Sequence, residues 1–343
     1  MGQKLGQERC HRCGNPCSRP RKLGLQPTCA RCQCEIRAEG RVARLEARQD
    51  ELATIQIEFP DKKRGRIDPR AWLAHAQSGQ RLRVDASNEQ NAATVVIKTR
   101  QPIAICFTAD WHLGSCSVDY AAMLAHHDYI LKTPRVFAIT VGDLIDNFVS
   151  FKSALPILSQ VIDPETQGKV LGALMKEWID ANKLLAVCAG NHDDERDRKL
   201  FGRSPMAQFF GEHRPYFPGI GHMRLRVGDI EYSQLLDHKS RFNSSLNPIH
   251  SNQQLYRLNE AADVVVTAHT HSPALEWLYR YGRKTIWAKC GSFQGADDFS
   301  QRYYEPGIIG TPTIVFHPNR KEFHGFETAQ AAVAYMRGLT NGK

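Results

Sequence analysis

From about residue 92 onward the chain alternates short apolar runs with polar or turn-forming segments. The runs ATVVIKT (93–99), IAICF (103–107), VFAITV (136–141), LLAVCA (184–189), VVVTA (264–268) and TIWA (285–288) are brief, and most are rich in β-branched side chains, which predicts buried strands. Between them DYAAMLAHHDYIL (119–131) and VLGALMKEWIDA (170–181) carry apolar residues at helical spacing. Strands interleaved with helices predict a layered α/β domain. Near the C terminus ETAQAAVAYMRGL has the same helical character and is expected to pack on the core or on a second copy of the chain, as in a homodimer.

The first ninety residues read differently. Val42, Leu45, Leu52 and Ile55 recur at roughly helical spacing with Arg41, Arg44 and Arg48 between them, and FPDKKRGR (59–66) then reads as a linker. Asp68 and Pro69 resemble an N-cap followed by proline at the first helical position. Residues 78–91 are polar and turn-rich. The expected organisation is a small cysteine-rich module over 1–36, a basic helical segment and linker over 37–91, an α/β domain over 92–320, and a C-terminal helix and tail over 321–343.

Six of the ten cysteines fall within residues 10–34, CHRCGNPCSRPRKLGLQPTCARCQC. Cys10 and Cys13 form one C-x2-C pair and Cys29 and Cys32 another, a spacing that suits one tetrahedral structural zinc. Cys34 could replace Cys32, Cys17 could replace Cys13, and His11 is a further candidate. Surface thiols without a metal are the plainer alternative. The scattered Cys106, Cys116, Cys188 and Cys290 are read as small buried hydrophobes.

Charge sharpens the contrast between the two ends. The net charge is +9, and residues 1–66 hold 15 Lys and Arg against 8 Asp and Glu. Such a basic excess, with Arg19, Arg21 and Lys22 between the cysteine pairs, favours a polyanionic partner such as nucleic acid. A solvated, solubilising segment and a protein-docking module are the other readings. The N-terminal stretch lacks an apolar core and no run approaches the roughly 20 apolar residues of a membrane span. The expectation is therefore no membrane partner and a cytoplasmic location, in a bacterial or phage-infected bacterial cell.

Polar residues follow the apolar runs in a repeated manner. Asp110-Trp111-His112 follows IAICFTA; Gly142-Asp143, Asp146 and Asn147 follow VFAITV; Gly190-Asn191-His192-Asp193 follows LLAVCA. Asp237-His238 follows YSQLL, and His269-Thr270-His271 follows VVVTA. One such segment means little. Five of them, each past a buried strand, are costly to bury unless something satisfies them. Carboxylate, amide oxygen and imidazole together are ligands for manganese, iron, zinc, cobalt or nickel.

The segments ADWH, GDLID, GNHD, DHK and AHTH resemble, in order, the signature of the calcineurin-like metallophosphoesterase superfamily, over about residues 100–316. Ala268 stands where that signature usually has glycine. The text around His238 (HKSRFNSSLNPIH) and around Cys290 further resembles bacteriophage-encoded members. The superfamily resemblance implies a four-layer sandwich, two central mixed sheets flanked by helices, and two divalent metals, manganese first. It implies that Asp110, His112 and His271 hold one metal, that Asn191, His238 and His269 hold the other, and that Asp143 bridges them. His192 is implied to face the substrate phosphate as a catalytic residue, Asp193 to orient it, and Asp146 to support the loop from outside. Ser244, Ser245 and Asn247 are candidate substrate contacts or helix caps, and Tyr303 and Tyr304 could border the cleft.

The implied chemistry is hydrolysis of a phosphate ester by metal-activated water. A nucleic-acid phosphodiester ranks first as substrate, because of the zinc module and the basic N terminus. A nucleotide or other small ester ranks second, a phosphoprotein third. A binding or structural protein with a vestigial metal site is the contrasting class.

Overall fold

The computed structural model describes residues 91–148, 160–241, 243, 244, 246–280, 282–295 and 307–341, and before these residues 9, 10, 12, 13, 32, 35, 38–41, 70, 71, 73–78, 80 and 81. The chain divides into two compact units, Met1–Leu73 and Ala74–Lys343. In the first, residues 32, 35 and 38–41 are helical, and the Arg12 guanidinium donates to both oxygens of Glu39 at 2.6 and 2.9 Å. Cys17, Cys29, Cys34, His11, Arg19, Arg21, Lys22, Ser245, Tyr303 and Tyr304 lie outside the described residues.

The second unit is built on two sheets. The first has the order β1 (Ala92–Ile97), β6 (Gly221–Val227), β7 (Ile230–Asp237), β8 (Val264–Thr267), β10 (Arg283–Lys289), β9 (Ala274–Arg280). The second runs β12 (Phe323–Phe326), β11 (Thr313–Phe316), β2 (Ile103–Thr108), β3 (Val136–Val141), β4 (Leu184–Cys188), β5 (Tyr216–Phe217). Both are mixed: β2, β3, β4 and β5 run parallel, as do β7, β8 and β10, with antiparallel partners outside them. Every apolar run singled out in the sequence is one of these strands. The central β2, β4 and β8 are buried along their whole length, which is why they read as unbroken apolar runs. Strand β1 sits at an edge and is only half-buried at alternate positions.

The inner faces of the sheets share one core. Ile105, Phe107, Ile139, Val141 and Ile314 of one meet Leu225, Tyr232, Leu236, Val266 and Ile286 of the other. Helices cover the outer faces. Met123 and Ile130 of α1 (Tyr120–Lys132) pack on the second sheet, with Leu171, Met175 and Trp178 of α2 (Pro164–Asp180). Two short helices, α3 (Arg196–Phe201) and α4 (Pro205–Gly211), follow β4. The first sheet is covered by α5 (His250–Leu258) through Leu255. The result is two mixed sheets flanked by helices. The C-terminal α6 (Ala329–Asn341) buries Ala329, Ala332, Val333 and Met336 against Ala104, Cys106 and Val315, so it packs on the core. No described helix is long and apolar enough to cross a membrane.

Candidate metal centre

The carboxyl ends of β2, β3, β4, β7 and β8 deliver the five polar segments to one place. Sharp turns are needed there, because each strand is buried up to its last residues. Asp110, His112, Asp143, Asn147, His269 and His271 all adopt the left-handed backbone region, with φ between 45° and 77°. That conformation is uncommon for residues with a side chain and gathers where function requires it. Glycines supply the closest approaches. Gly142 has φ +81°, and a Cβ on Gly190 would lie 2.1 Å from the Asp143 amide nitrogen. Ala268, in place of the usual glycine, tucks its methyl into the core between the sheets.

Two trios of ligand-bearing side chains result. Ligand atoms of Asp110, His112 and His271 lie within 4.8 Å of one another, and so do those of Asp143, His238 and His269. In the first trio His112 Nε2 and His271 Nε2 are 3.1 Å apart, and His271 Nε2 is 3.4 Å from Asp110 Oδ1. In the second His238 Nε2 is 3.0 Å from Asp143 Oδ2 and 3.2 Å from Asn191 Oδ1. The amide of His269 donates to Asp110 Oδ2 at 3.0 Å, tying the two trios together.

Outer hydrogen bonds aim the imidazoles. His238 Nδ1 donates to the Val141 carbonyl at 2.7 Å, and His112 Nδ1 donates to Asp146 Oδ1 at 3.2 Å. Each therefore turns Nε2 inward, as metal-binding histidines commonly do. Asp110 Oδ1 is buried without a hydrogen-bond partner, and so is Asp146 Oδ2. Orphaned carboxylate oxygens and converging imidazole nitrogens form a donor set that divalent cations satisfy.

The electrostatics agree with that reading. Burial alone would raise the Asp110 and Asp143 carboxyls, but the surrounding histidines, led by His271 for Asp110 and His238 for Asp143, hold both below the usual carboxylate range. Burial likewise opposes charging His112 and His238, yet neighbouring carboxylates lift both to about 10. His269 goes the other way, to about 4, through burial and the charge of His238. The buried carboxylates thus favour the protonated form of His112 and His238, but not of His269.

His192 stands beside this centre, 3.9 Å from Asp143 Oδ2. Its Nδ1 donates to the Asp146 carbonyl at 2.8 Å, and its Nε2 lies 2.7 Å from Arg196 Nη2. Nε2 therefore accepts, and the ring is neutral; burial, with the charges of His112 and Arg196, keeps it far below its ordinary pKa. His112, Asp146 and His192 form a further cluster with ligand-atom spacing. Asp193, expected to orient His192, takes other partners: its oxygens accept from the amides of Gly190 at 2.7 Å and Leu144 at 2.9 Å. It thereby staples two of the motif turns together. Burial and the Asp143 charge push its carboxyl up to about 7.

Arg196 is the residue that motif reading missed. Its guanidinium stacks 4.0 Å from the Phe148 ring centroid and donates to the Asp146 carbonyl at 2.6 Å. The available signal was its position, one helical turn after His192 in NHDDER. Ser244 and Asn247 are used locally: Ser244 Oγ accepts from Asn247 N, and Asn247 Oδ1 accepts from Ile249 N, which turns the chain into α5. In the N-terminal unit Cys10, Cys13 and Cys32 come together within 4.8 Å, a cluster consistent with a zinc-binding module.

A pair of mixed sheets whose strand ends gather clustered Asp and His side chains is consistent with a metal-dependent hydrolase. The calcineurin-like phosphoesterase family matches residues 103–282, and the chain belongs to that family. No curated protein matches the sequence. Among solved structures, vacuolar protein sorting 29 of Cryptosporidium parvum is similar over 66% of this chain and 100% of its own, at 15% identity and a TM-score of 0.36. The zinc complex of Entamoeba histolytica Vps29 is similar over 66% and 99%, at 10% identity and a TM-score of 0.33. A Thermotoga maritima protein solved by NMR follows over 66% and 99%, at 14% identity and a TM-score of 0.30. These findings correct the expectation of a bacteriophage-encoded likeness: the similar structures named here are Vps29 proteins and a Thermotoga protein. The segment after His238 that suggested phage proteins serves a local need, capping the approach to α5, and such a need carries no lineage.

Proposed function

We propose that the chain is a metal-dependent phosphodiesterase acting on nucleic acid. The observation that carries the reading is the pair of adjoining trios, Asp110–His112–His271 and Asp143–His238–His269, with the Asn191 side chain against His238. In this reading Asp110, His112 and His271 hold one divalent cation, Asn191, His238 and His269 hold a second, and Asp143 serves both. When bound, such cations supply Lewis acidity toward phosphoryl oxygens and lower the pKa of water. The chain's own residues do the rest. The outer bonds to Val141 and Asp146 keep the ligand rings aimed without reorganisation. His192 and Arg196 stand at the rim as a neutral acceptor beside a permanent cation. Arg196 supplies the fixed positive charge that a transferring phosphoryl group needs, and His192 holds that guanidinium in place.

Nucleic acid as substrate is supported by the basic excess of residues 1–66 and by the cysteine cluster in the same segment. The test is incubation with manganese and labelled single- and double-stranded DNA and RNA, beside a small phosphodiester and a small phosphomonoester. Asp143→Asn is the control: asparagine tolerates the left-handed backbone at this position while removing the charge. Cleavage of an oligonucleotide, reduced at least about 100-fold in the variant, is the expected result. Turnover confined to the small diester moves the substrate to a nucleotide. No turnover of any ester with metal bound leaves a binding protein.

A further inference from the structure

Another cluster of side chains that could hold a metal ion lies at the other end of the second sheet. Strand β11 runs antiparallel to β2, pairing Phe316 with Ile103 and Thr313 with Cys106. The end of β11 is thus beside the beginning of β2, whereas the candidate centre follows the end of β2. The two places are separated by about a strand length, roughly 17–20 Å.

Period-two geometry builds the cluster. Val315 pairs with His324 in the β11–β12 ladder, and the His317 amide donates to the Glu322 carbonyl at 3.1 Å as the ladder continues. Val315 and His317 therefore share a face with Glu322 and His324. One ring nitrogen of His317, one of His324 and a carboxylate oxygen of Glu322 lie within 4.8 Å of one another. His324 Nε2 is 2.7 Å from Glu322 Oε1, and the other carboxylate oxygen accepts from Arg320. Tyr335 of α6 closes one side, its ring 5.2 Å from that of His324.

His317 is the independent observation. It is 2% exposed, and its Nε2 is buried with no hydrogen-bond partner. An unpaired ring nitrogen in the interior is unfavourable and calls for a partner. Glu322 and His324 are partly exposed, so an ion has a path from solvent.

We infer that His317, Glu322 and His324 form a zinc-binding site, separate from the candidate dinuclear centre and from the cysteine cluster. Two imidazoles and one carboxylate are a borderline ligand set that suits zinc, with water completing a tetrahedron. Arg320 orients the carboxylate from behind, as outer groups do at zinc sites. The ion would fasten the end of the hairpin, where His317 just past β11 meets Glu322 just before β12 and His324 within it.

The experiment uses the full chain, stripped with chelator and re-equilibrated with zinc. Metal content per chain is measured for wild type, His324→Ala and Glu322→Gln, with circular dichroism to confirm that each is folded. Each variant is expected to hold one zinc fewer per chain, while manganese-dependent turnover of a small phosphodiester, where the wild type shows it, is unchanged. Zinc-edge anomalous diffraction from soaked wild-type crystals is expected to place an ion beside His317, a readout that does not depend on any activity. Equal zinc content in the three proteins, or an anomalous map with peaks elsewhere but none beside His317, overturns the site.

Discussion

At the scale of single residues, the candidate centre is held in a state that the chain alone does not favour. Six of its polar residues occupy left-handed backbone conformations, each costing on the order of 1–3 kcal/mol. Carboxylates are packed where burial opposes their charge. Protons on His112 and His238 offset part of that cost in the metal-free protein, and this has a consequence for pH. Both rings are lifted to about 10, above an unfolded value near 6.5. Their contribution to stability is therefore fully present below about pH 6.5 and is lost as pH rises toward 10. Urea midpoints measured in chelator should fall across that range, and saturating manganese should remove most of the fall. A chelator profile that stays flat between pH 6.5 and 10 would show that these histidines are not protonated in the fold. The motif residues themselves were legible in the sequence, since each follows a buried strand. The bonds of Arg196 to the Asp146 carbonyl and of Asp193 to the Leu144 amide were not, because partners 50 and 49 residues apart in the chain are set only by packing.

At the scale of elements, burial on both faces makes most strands legible as apolar runs, although β11, with four buried residues, does not stand out and the half-buried β1 does. Strands β2, β3, β4 and β8 announce themselves as apolar runs. Strands β6 and β9 do not, because β6 alternates buried and exposed residues and β9 is an edge strand with Trp277 and Tyr279 exposed. Helix α5 joins the first sheet through a polar knot rather than by apolar packing alone. Buried Asn252 donates to the carbonyls of Val265 at 3.0 Å and Ala288 at 2.8 Å, and accepts from Thr267 Oγ1 at 2.8 Å. Asn252→Leu leaves two carbonyls and a hydroxyl without that partner in the interior, which should cost about 3 kcal/mol. Chemical denaturation would register this as a lower midpoint with an unchanged slope; a midpoint within error of wild type would mean that water replaces the amide.

At the scale of the whole molecule, the unequal charge suggests a division of labour between the basic N-terminal segment and the α/β unit. Deleting residues 1–66 should weaken DNA binding and flatten its salt dependence, by about one unit of slope for each phosphate that the segment neutralises. Turnover of a small phosphodiester by the remainder should stay intact. Unchanged DNA affinity would instead assign the segment to a protein partner. The sequence by itself determined the family, the order of the strands that carry the motifs, and the identity of the polar residues that end them. These are local matters: a buried strand must be apolar, and a costly polar residue at its end needs a reason. Only the tertiary structure decided which of those residues face one another, where α6 packs, and that His317 meets Glu322 and His324. Such pairings depend on sheet order and register, and both are set by how the two sheets bury their inner faces together.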